Sequence, residues 1–214
     1  MNGRAYTPPL GTGATAGYDR AIRRWTRELR WRRAMIAALV PRPGEIIIDV
    51  GCGTGSFAVM LKATTPGATV IGIDPDEEAL AIARAKADAA WLAICWERGF
   101  ARDIERRGVD AVVSSLMFHQ VPMAEKRAGL SAMYASLRPG GRLVIADYGR
   151  QRALMRLLFR VTIQRLDGVT DTQPNADGLL PTLVRDAGFG NVRELRPIYT
   201  VTGSITLIVA DKPG

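Results

Sequence analysis

The sequence predicts an α/β fold, a mainly parallel sheet of seven strands with helices on both faces, and three observations carry that prediction. Ile46-Ile47-Ile48-Asp49-Val50 is a continuous β-branched run between Pro43-Gly44 and Gly51, the pattern of a strand buried on both faces. A glycine loop and a stretch of helical length, Ser56 to Thr64, follow it, and the same alternation of strand and helix recurs along the chain. The 214 residues are 47% hydrophobic with a mean hydropathy of +0.02. One substantial core is therefore expected, as a single domain over residues 17–214 behind a flexible arm, residues 1–16.

In that arm, Met1 to Ala16 holds glycine, threonine and two prolines. From Gly17, the apolar residues Tyr18, Ile22, Trp25, Leu29, Ile36 and Val40 follow spacings of 4, 3, 4, 7 and 4, one stripe of a helix. Arg20, Arg23, Arg24, Arg27 and Arg30 fall off that stripe. Three readings stand together: an edge helix with a solvated basic face, a lid carrying Tyr18 over a ligand, or a helix lying on an anionic membrane surface.

The loop after the first strand reads Asp49-x-Gly51-x-Gly53-x-Gly55. Glycines there bring backbone N–H groups close to a ligand at a helix N-terminus. A dinucleotide fingerprint is Gly-x-Gly-x-x-Gly and a P-loop ends in Gly-Lys-Ser/Thr; neither fits. A second strand, Thr69 to Ile73, ends in Asp74, 19 residues beyond Gly55, where a carboxylate can accept hydrogen bonds from both hydroxyls of a ribose. Through Ile47-Ile48-Asp49-Val50-Gly51-Cys52-Gly53-Thr54-Gly55 and Val70-Ile71-Gly72-Ile73-Asp74-Pro75, the chain resembles the class I S-adenosylmethionine-dependent methyltransferases. The resemblance implies a Rossmann-like sheet and S-adenosyl-L-methionine as cofactor, held around Asp49, Gly51, Cys52, Gly53, Gly55, Asp74 and Pro75. Tyr18-Asp19 also resembles the pre-core segment of the ubiquinone/menaquinone-biosynthesis methyltransferases, which adds Tyr18 to the cofactor residues.

Pro75 suits the first position of a helix that runs through Ala87 with Asp76, Glu77 and Glu78 in its first turn. Trp91 to Cys95 is predicted as the third strand. Many relatives follow it with Gly-Asp-Ala, whose Asp bonds the adenine amino group; here the aligned residues are Gly99-Phe100-Ala101. That leaves Asp103 as a displaced substitute or Phe100 as an apolar wall for adenine, the preferred reading, with Ala101 beside it.

Asp110 to His119 forms the fourth strand and the loop at its carboxyl end, the edge at which open α/β sheets bind ligands. Ser114 is assigned to the cofactor, and the acceptor is expected near Ser114 to His119. His119 is the chain's one histidine, and so the candidate general base near neutral pH; the competing reading is a structural histidine hydrogen-bonded beneath the loop. No Asn/Asp-Pro-Pro-aromatic tetrapeptide and no Pro-Cys nucleophile occurs here, which argues against methylation of nucleic-acid bases.

A helix over Pro122 to Leu137 precedes Leu137-Arg138-Pro139-Gly140-Gly141, which again resembles the family, and a fifth strand from Arg142 to Gly149. Asp147 and Tyr148 project at its carboxyl edge, either lining the acceptor pocket or simply ending the strand. Arg150 to Leu166 is amphipathic, with Leu154, Leu157, Leu158 and Val161 on one face and Arg152, Arg156 and Arg160 on another. With a polar loop from Asp167 to Asn175 it falls where the resemblance to the methyltransferase family implies a substrate-cap insertion, residues 150–175, its leucine face expected to be spent on the core. A helix over Leu179 to Ala187 and strands at Val192 to Leu195 and Ser204 to Ala210 complete the sheet.

The net charge of +8 lies in two segments. Residues 17–40 carry seven Arg against Asp19 and Glu28, and residues 150–166 carry five Arg and no acid, which leaves a slightly acidic remainder. Cys52 and Cys95 fit neither a metal site nor a disulfide framework. No apolar core of a signal peptide and no membrane-length segment is visible, so a cytoplasmic protein is expected. The predicted activity is transfer of a methyl group from S-adenosylmethionine to a small-molecule acceptor, nucleic acid being disfavoured. The alternatives are a phospholipid or quinone methyltransferase in peripheral contact with a membrane, or a cofactor-binding protein without turnover.

Overall fold

The computed structural model describes residues 27–214; the arm, Tyr18, and the stripe through Ile22 and Trp25 lie outside them. Helix α1 (Glu28–Leu39) begins at Arg27, whose φ of 53° is left-handed. Within this helix the buried stripe is Trp31, Met35 and Leu39, with Ile36 packed against it, while Leu29 and Val40 of the expected stripe are exposed.

Strand β1 (Ile46–Val50) is followed by α2 (Ser56–Thr64), β2 (Thr69–Asp74) and α3 (Glu77–Ala89). Helix α3 starts two residues after Pro75 because Asp76 caps it, Oδ1 accepting from the N–H groups of Glu78 and Ala79. Then come β3 (Cys95–Arg98), β4 (Val109–Ser115), α4 (Met123–Ser136), β5 (Leu137–Tyr148), α5 (Ala153–Val161), α6 (Ile163–Asp167), α7 (Val169–Ala176), α8 (Leu180–Asp186), β6 (Gly190–Glu194), β7 (Ile198–Thr200) and β8 (Gly203–Asp211). The sheet order is β3-β2-β1-β4-β5-β8-β6, with β7 paired to β8. The first five are parallel, and β8 runs antiparallel to β5, β6 and β7. Strand order reverses between β1 and β4, so the carboxyl ends of these two strands open the crevice in which a ligand binds in such sheets.

β1 is central: Ile48 pairs with Ile71 on one side and Val112 on the other. Alternate residues feed two cores. On one face Ile47, Ala111 and Val144 meet Trp31, Met35, Phe57, Leu61 and Phe159; on the other Ile48, Val112 and Ile145 meet Leu130, Met133, Leu183 and Val184.

Three local expectations are corrected. The third strand lies at Cys95–Arg98, not Trp91 to Cys95, because Trp91 is a turn residue with φ 55° and is 95% exposed. What anchors β3 is Trp96, packed so closely on Gly72 of β2 that any Cβ there would come within 2.4 Å of its ring. The stretch from Asp167 to Asn175 is largely helix α7, its weak propensity offset by burial of Thr172, Asn175 and Ala176 and by Lys126 Nζ, which donates to the Asp171 carbonyl. The leucine face of α5 is not spent on the core: Leu154, Leu157 and Val161 are exposed by 62%, 56% and 55%, and only Phe159 is buried.

Candidate functional site

The β1–α2 loop is built so that its middle glycine faces open space while its last one is locked in. At Gly55 (φ 73°) a Cβ would stand 2.5 Å from Trp96 and 2.6 Å from Ala83; at Gly53 (φ 52°) nothing lies within 4 Å. Backbone N–H groups of Gly51 and Cys52 donate to the Ile73 carbonyl at 2.8 and 3.1 Å, and Gly53 N–H donates to Asp74 Oδ2 at 2.8 Å. Lys86 of α3 donates to Thr54 Oγ1 and Ser56 Oγ at 2.9 and 2.7 Å, which fixes the start of α2.

Asp74 also accepts the N–H of Asp76 on Oδ1 at 2.9 Å. Burial raises its pKa, and the two N–H donors only partly offset this, leaving it at about 6. Each oxygen keeps a second lone pair for a ligand hydroxyl. Asp49 lies deeper, fully buried, with neither oxygen hydrogen-bonded within the described residues. Burial pushes its pKa to about 7; Arg32 of α1 draws it down and Asp74 pushes it up. A buried carboxylate of this kind fits a cationic ligand group above it.

An open cleft runs from this loop across the carboxyl edge. Gly51, Gly53, Asp74 and Pro75 form its floor, Phe100 and Ala101 one wall, and Leu116, Met117, Gln120 and Val121 the other. Asp103 turns away to accept the N–H of Phe100 at 3.3 Å, and Arg102 stacks on the Phe100 ring at 4.4 Å while pairing with Glu125 at 2.5 Å. The geometry thus presents Phe100, not Asp103, to the cleft. Besides Asp49, which lies deeper, three predicted cofactor residues among the described ones do not line it. Cys52 is buried under the loop against β2, where burial holds its thiol well above the ordinary range. Gly55 is enclosed by Trp96 and Ala83. Ser114 is fully buried on the opposite side of β4, and its neighbour Ser115 reaches the cleft instead, as strand alternation requires.

His119 is brought to Asp147, not to the cleft surface. Its Nδ1 lies 2.8 Å from Asp147 Oδ1 and its Nε2 3.4 Å from Asp167 Oδ2, and the ring meets Tyr148 edge-on at 4.9 Å. Burial lowers its pKa, but Asp147 and Asp167 more than reverse this, to about 9. Asp147, itself buried, further accepts the N–H groups of Phe118 and Tyr148, both at 2.7 Å. Lys126 is wholly buried beside this group, and burial lowers its pKa to about 8 against the pull of Asp147 and Asp171. Sequence reasoning missed Arg32, Lys126, Asp167 and Gln120. Lys126 did leave a signal: it stands four residues before Leu130 and seven before Met133, on the buried stripe of α4.

A family model described as a methyltransferase domain matches residues 47–141. The demethylmenaquinone methyltransferase of Deinococcus radiodurans is 33% identical over 180 residues, covering 81% of this chain and 73% of that protein. A ubiquinone/menaquinone biosynthesis C-methyltransferase of Roseobacter denitrificans is 30% identical over 186 residues, covering 76% and 73%. Among solved structures, an O-methyltransferase family protein of Burkholderia thailandensis superposes with a TM-score of 0.76 at 19% identity, over 94% of this chain and 60% of that one. A phosphoethanolamine N-methyltransferase of Haemonchus contortus in complex with S-adenosyl-L-methionine gives 0.68 at 16%, over 86% and 53%; these two likenesses speak to the fold. The open side of Gly53, the spare lone pairs of Asp74 and the buried charge of Asp49 fit that cofactor, which supplies a methyl group already activated on a positively charged sulfur. The protein's share of the work is to orient an acceptor behind that carbon and to exclude water. The chain belongs to the class I S-adenosylmethionine-dependent methyltransferases, and it transfers the methyl group of S-adenosylmethionine to a small-molecule acceptor.

Proposed function

We propose that the acceptor is a lipophilic small molecule of the quinol type, taken up at a membrane surface. The observation that carries this reading is α5, which holds Leu154, Leu157 and Val161 out to solvent with Arg152 at its N-cap and Arg156 and Arg160 along its nine residues. Monomeric proteins rarely leave such an apolar stripe exposed without a partner for it, and a short helix with this pattern suits the interface of an anionic bilayer. The names of the relatives, demethylmenaquinone and ubiquinone/menaquinone methyltransferases, support an acceptor of this class. Among the described residues no helix is long and apolar enough to cross a membrane, so the contact invoked is peripheral.

In this reading Asp74 takes the ribose hydroxyls, the backbone at Gly51 and Gly53 lies against the cofactor, Phe100 with Pro75 and Ala101 walls the adenine, and Asp49 balances a cationic part of the methionine moiety. Cys52, Gly55 and Ser114 shape this site from beneath. Helices α5 to α7, residues 153–176, close the acceptor side beyond Met117 and Gln120. The test is methyl transfer from labelled S-adenosylmethionine to a short-chain demethylmenaquinol in anionic vesicles. Labelled methylated quinol is the expected product; no transfer to it, with transfer to a polar phenol or amine, would replace this reading.

A further inference from the structure

The turn after β4 has two sides. Met117, Gln120 and Val121 line the cleft, while Phe118 and His119 are buried behind them. The buried side is held by two cationic side chains from different directions. His119 bridges Asp147 at the end of β5 and Asp167 at the end of α6, at 2.8 and 3.4 Å. Lys126 Nζ donates to the carbonyls of Phe118 and, at 2.5 Å, Val121, and on its other side to the carbonyl of Asp171 in α7 at 2.9 Å. Gln164 of α6 donates to Gln173 of α7 at 2.9 Å, so the two helices are tied to each other as well.

The chemistry of the imidazole follows from its neighbours. A carboxylate can only accept a hydrogen bond, and each ring nitrogen of His119 faces one. With both carboxylates ionised, both nitrogens donate, which is possible only for the imidazolium. In that form two buried acids, Asp147 and Asp167, are matched by two buried cations, His119 and Lys126, as burial of charge demands. An imidazolium has no lone pair with which to take a proton from an acceptor.

We infer that His119 and Lys126 are positioning residues: they fasten the cleft-lining turn, residues 117–121, to helices α6 and α7, so that the wall of the cleft and the insertion behind it are one body. The groups facing His119 are Asp147 and Tyr148 of β5 and Asp167 of α6; those facing Lys126 are Asp147 and Asp171. The direction of the His119 shift agrees with this arrangement. The general-base role expected from the sequence does not fit it. The inference rests on the methyltransferase reading for the identity of the cleft, but not on which acceptor the cleft takes.

The experiment therefore needs no acceptor. Because the chain has one histidine, nitrogen-15 NMR of a histidine-labelled protein reports His119 alone. At pH 7.5 both ring nitrogens are expected to be protonated, and a neutral tautomer titrating near 6.5 would overturn the inference. Amide hydrogen exchange is then compared in wild type, His119→Gln and the shape-preserving Asp167→Asn. Exchange is expected to rise together, about tenfold or more, in residues 117–121 and 163–176; a rise in one segment alone, or in neither, counts against the coupling. Should His119→Gln fail to fold, Asp167→Asn still lowers the His119 titration midpoint and carries the exchange measurement. Where turnover is measured, the pH midpoint of kcat should stay in place in Asp167→Asn while its height falls; a midpoint that follows the histidine would restore the base.

Discussion

His119 Nδ1 and Asp147 Oδ1 lie 2.8 Å apart with both side chains almost wholly withdrawn from solvent, and this relationship sets a pH dependence of stability. The folded pKa of His119, about 9, stands above the ordinary 6.5. The folded state thus holds a proton that the unfolded state releases, and the stabilisation is complete below about pH 6.5 and lost as pH rises toward 9. Lys126 acts oppositely but later: its folded pKa of about 8 lies below 10.5, so its contribution recovers only above pH 8. Between pH 6.5 and 8 stability should fall, at most about 1.4 kcal/mol per pH unit for one proton. Urea unfolding at pH 6.5 and 8 should show this fall in wild type and a smaller one in His119→Gln, where Asp49, with its folded pKa of about 7, still releases a proton over the same interval; parallel curves would refute it.

The glycine loop and Asp74 predict the cofactor's affinity. Removing a charged acceptor of hydrogen bonds costs roughly 1.5 to 3 kcal/mol, so Asp74→Ala should weaken S-adenosylmethionine about 10- to 100-fold. Gly53→Val should do worse, because φ 52° disfavours a β-branched residue and the space its Cβ would enter is the cleft floor. Titration calorimetry decides both, with thermal melting to show that the variants fold.

Much of this was legible in the sequence because backbone geometry and burial each leave a mark. The run from Ile46 to Val50, the loop glycines and Asp74 are all where local rules put them. Trp91 misled because an aromatic residue beside Leu92 and Ile94 resembles a strand, whereas only the sheet could reveal that Trp96 is the residue seated on Gly72. Helix α7 was hidden because the groups that stabilise it, Lys126 and the buried face of Thr172 and Asn175, come from tertiary contacts. His119 drew notice by being unique, but its meaning lay in Asp167, 48 residues later, which no spacing rule connects to it.

Asp49 predicts a proton released on binding. With its pKa at about 7 in the ligand-free protein, it is roughly half protonated at pH 7. A cationic ligand group near it favours the carboxylate, so S-adenosylmethionine should expel about half a proton at that pH. Calorimetry in two buffers of different ionisation enthalpy measures this number directly. Asp49→Asn should bring it close to zero, and an unchanged release would assign the proton elsewhere.

The exposed face of α5 makes the last prediction. Each arginine near an anionic leaflet contributes roughly 1 kcal/mol, although Arg156 is already paired with Asp177 at 2.6 Å and counts for less. Burying leucine-sized side chains that now face water adds up to about 1.5 to 3 kcal/mol apiece. The two contributions differ in their response to salt: the arginine part is screened within a Debye length of about 10 Å at 0.1 M, while the apolar part is not. Flotation should therefore show retention on anionic vesicles that falls as salt rises toward the level, set by the apolar part alone, that neutral vesicles show at any salt. Leu154→Ser with Leu157→Ser should remove the salt-resistant part, and Arg152→Glu with Arg160→Glu the salt-sensitive part. RNA that displaces the protein from vesicles would show that only the charges are being read, and absence of retention at low salt would leave α5 without a role at a membrane.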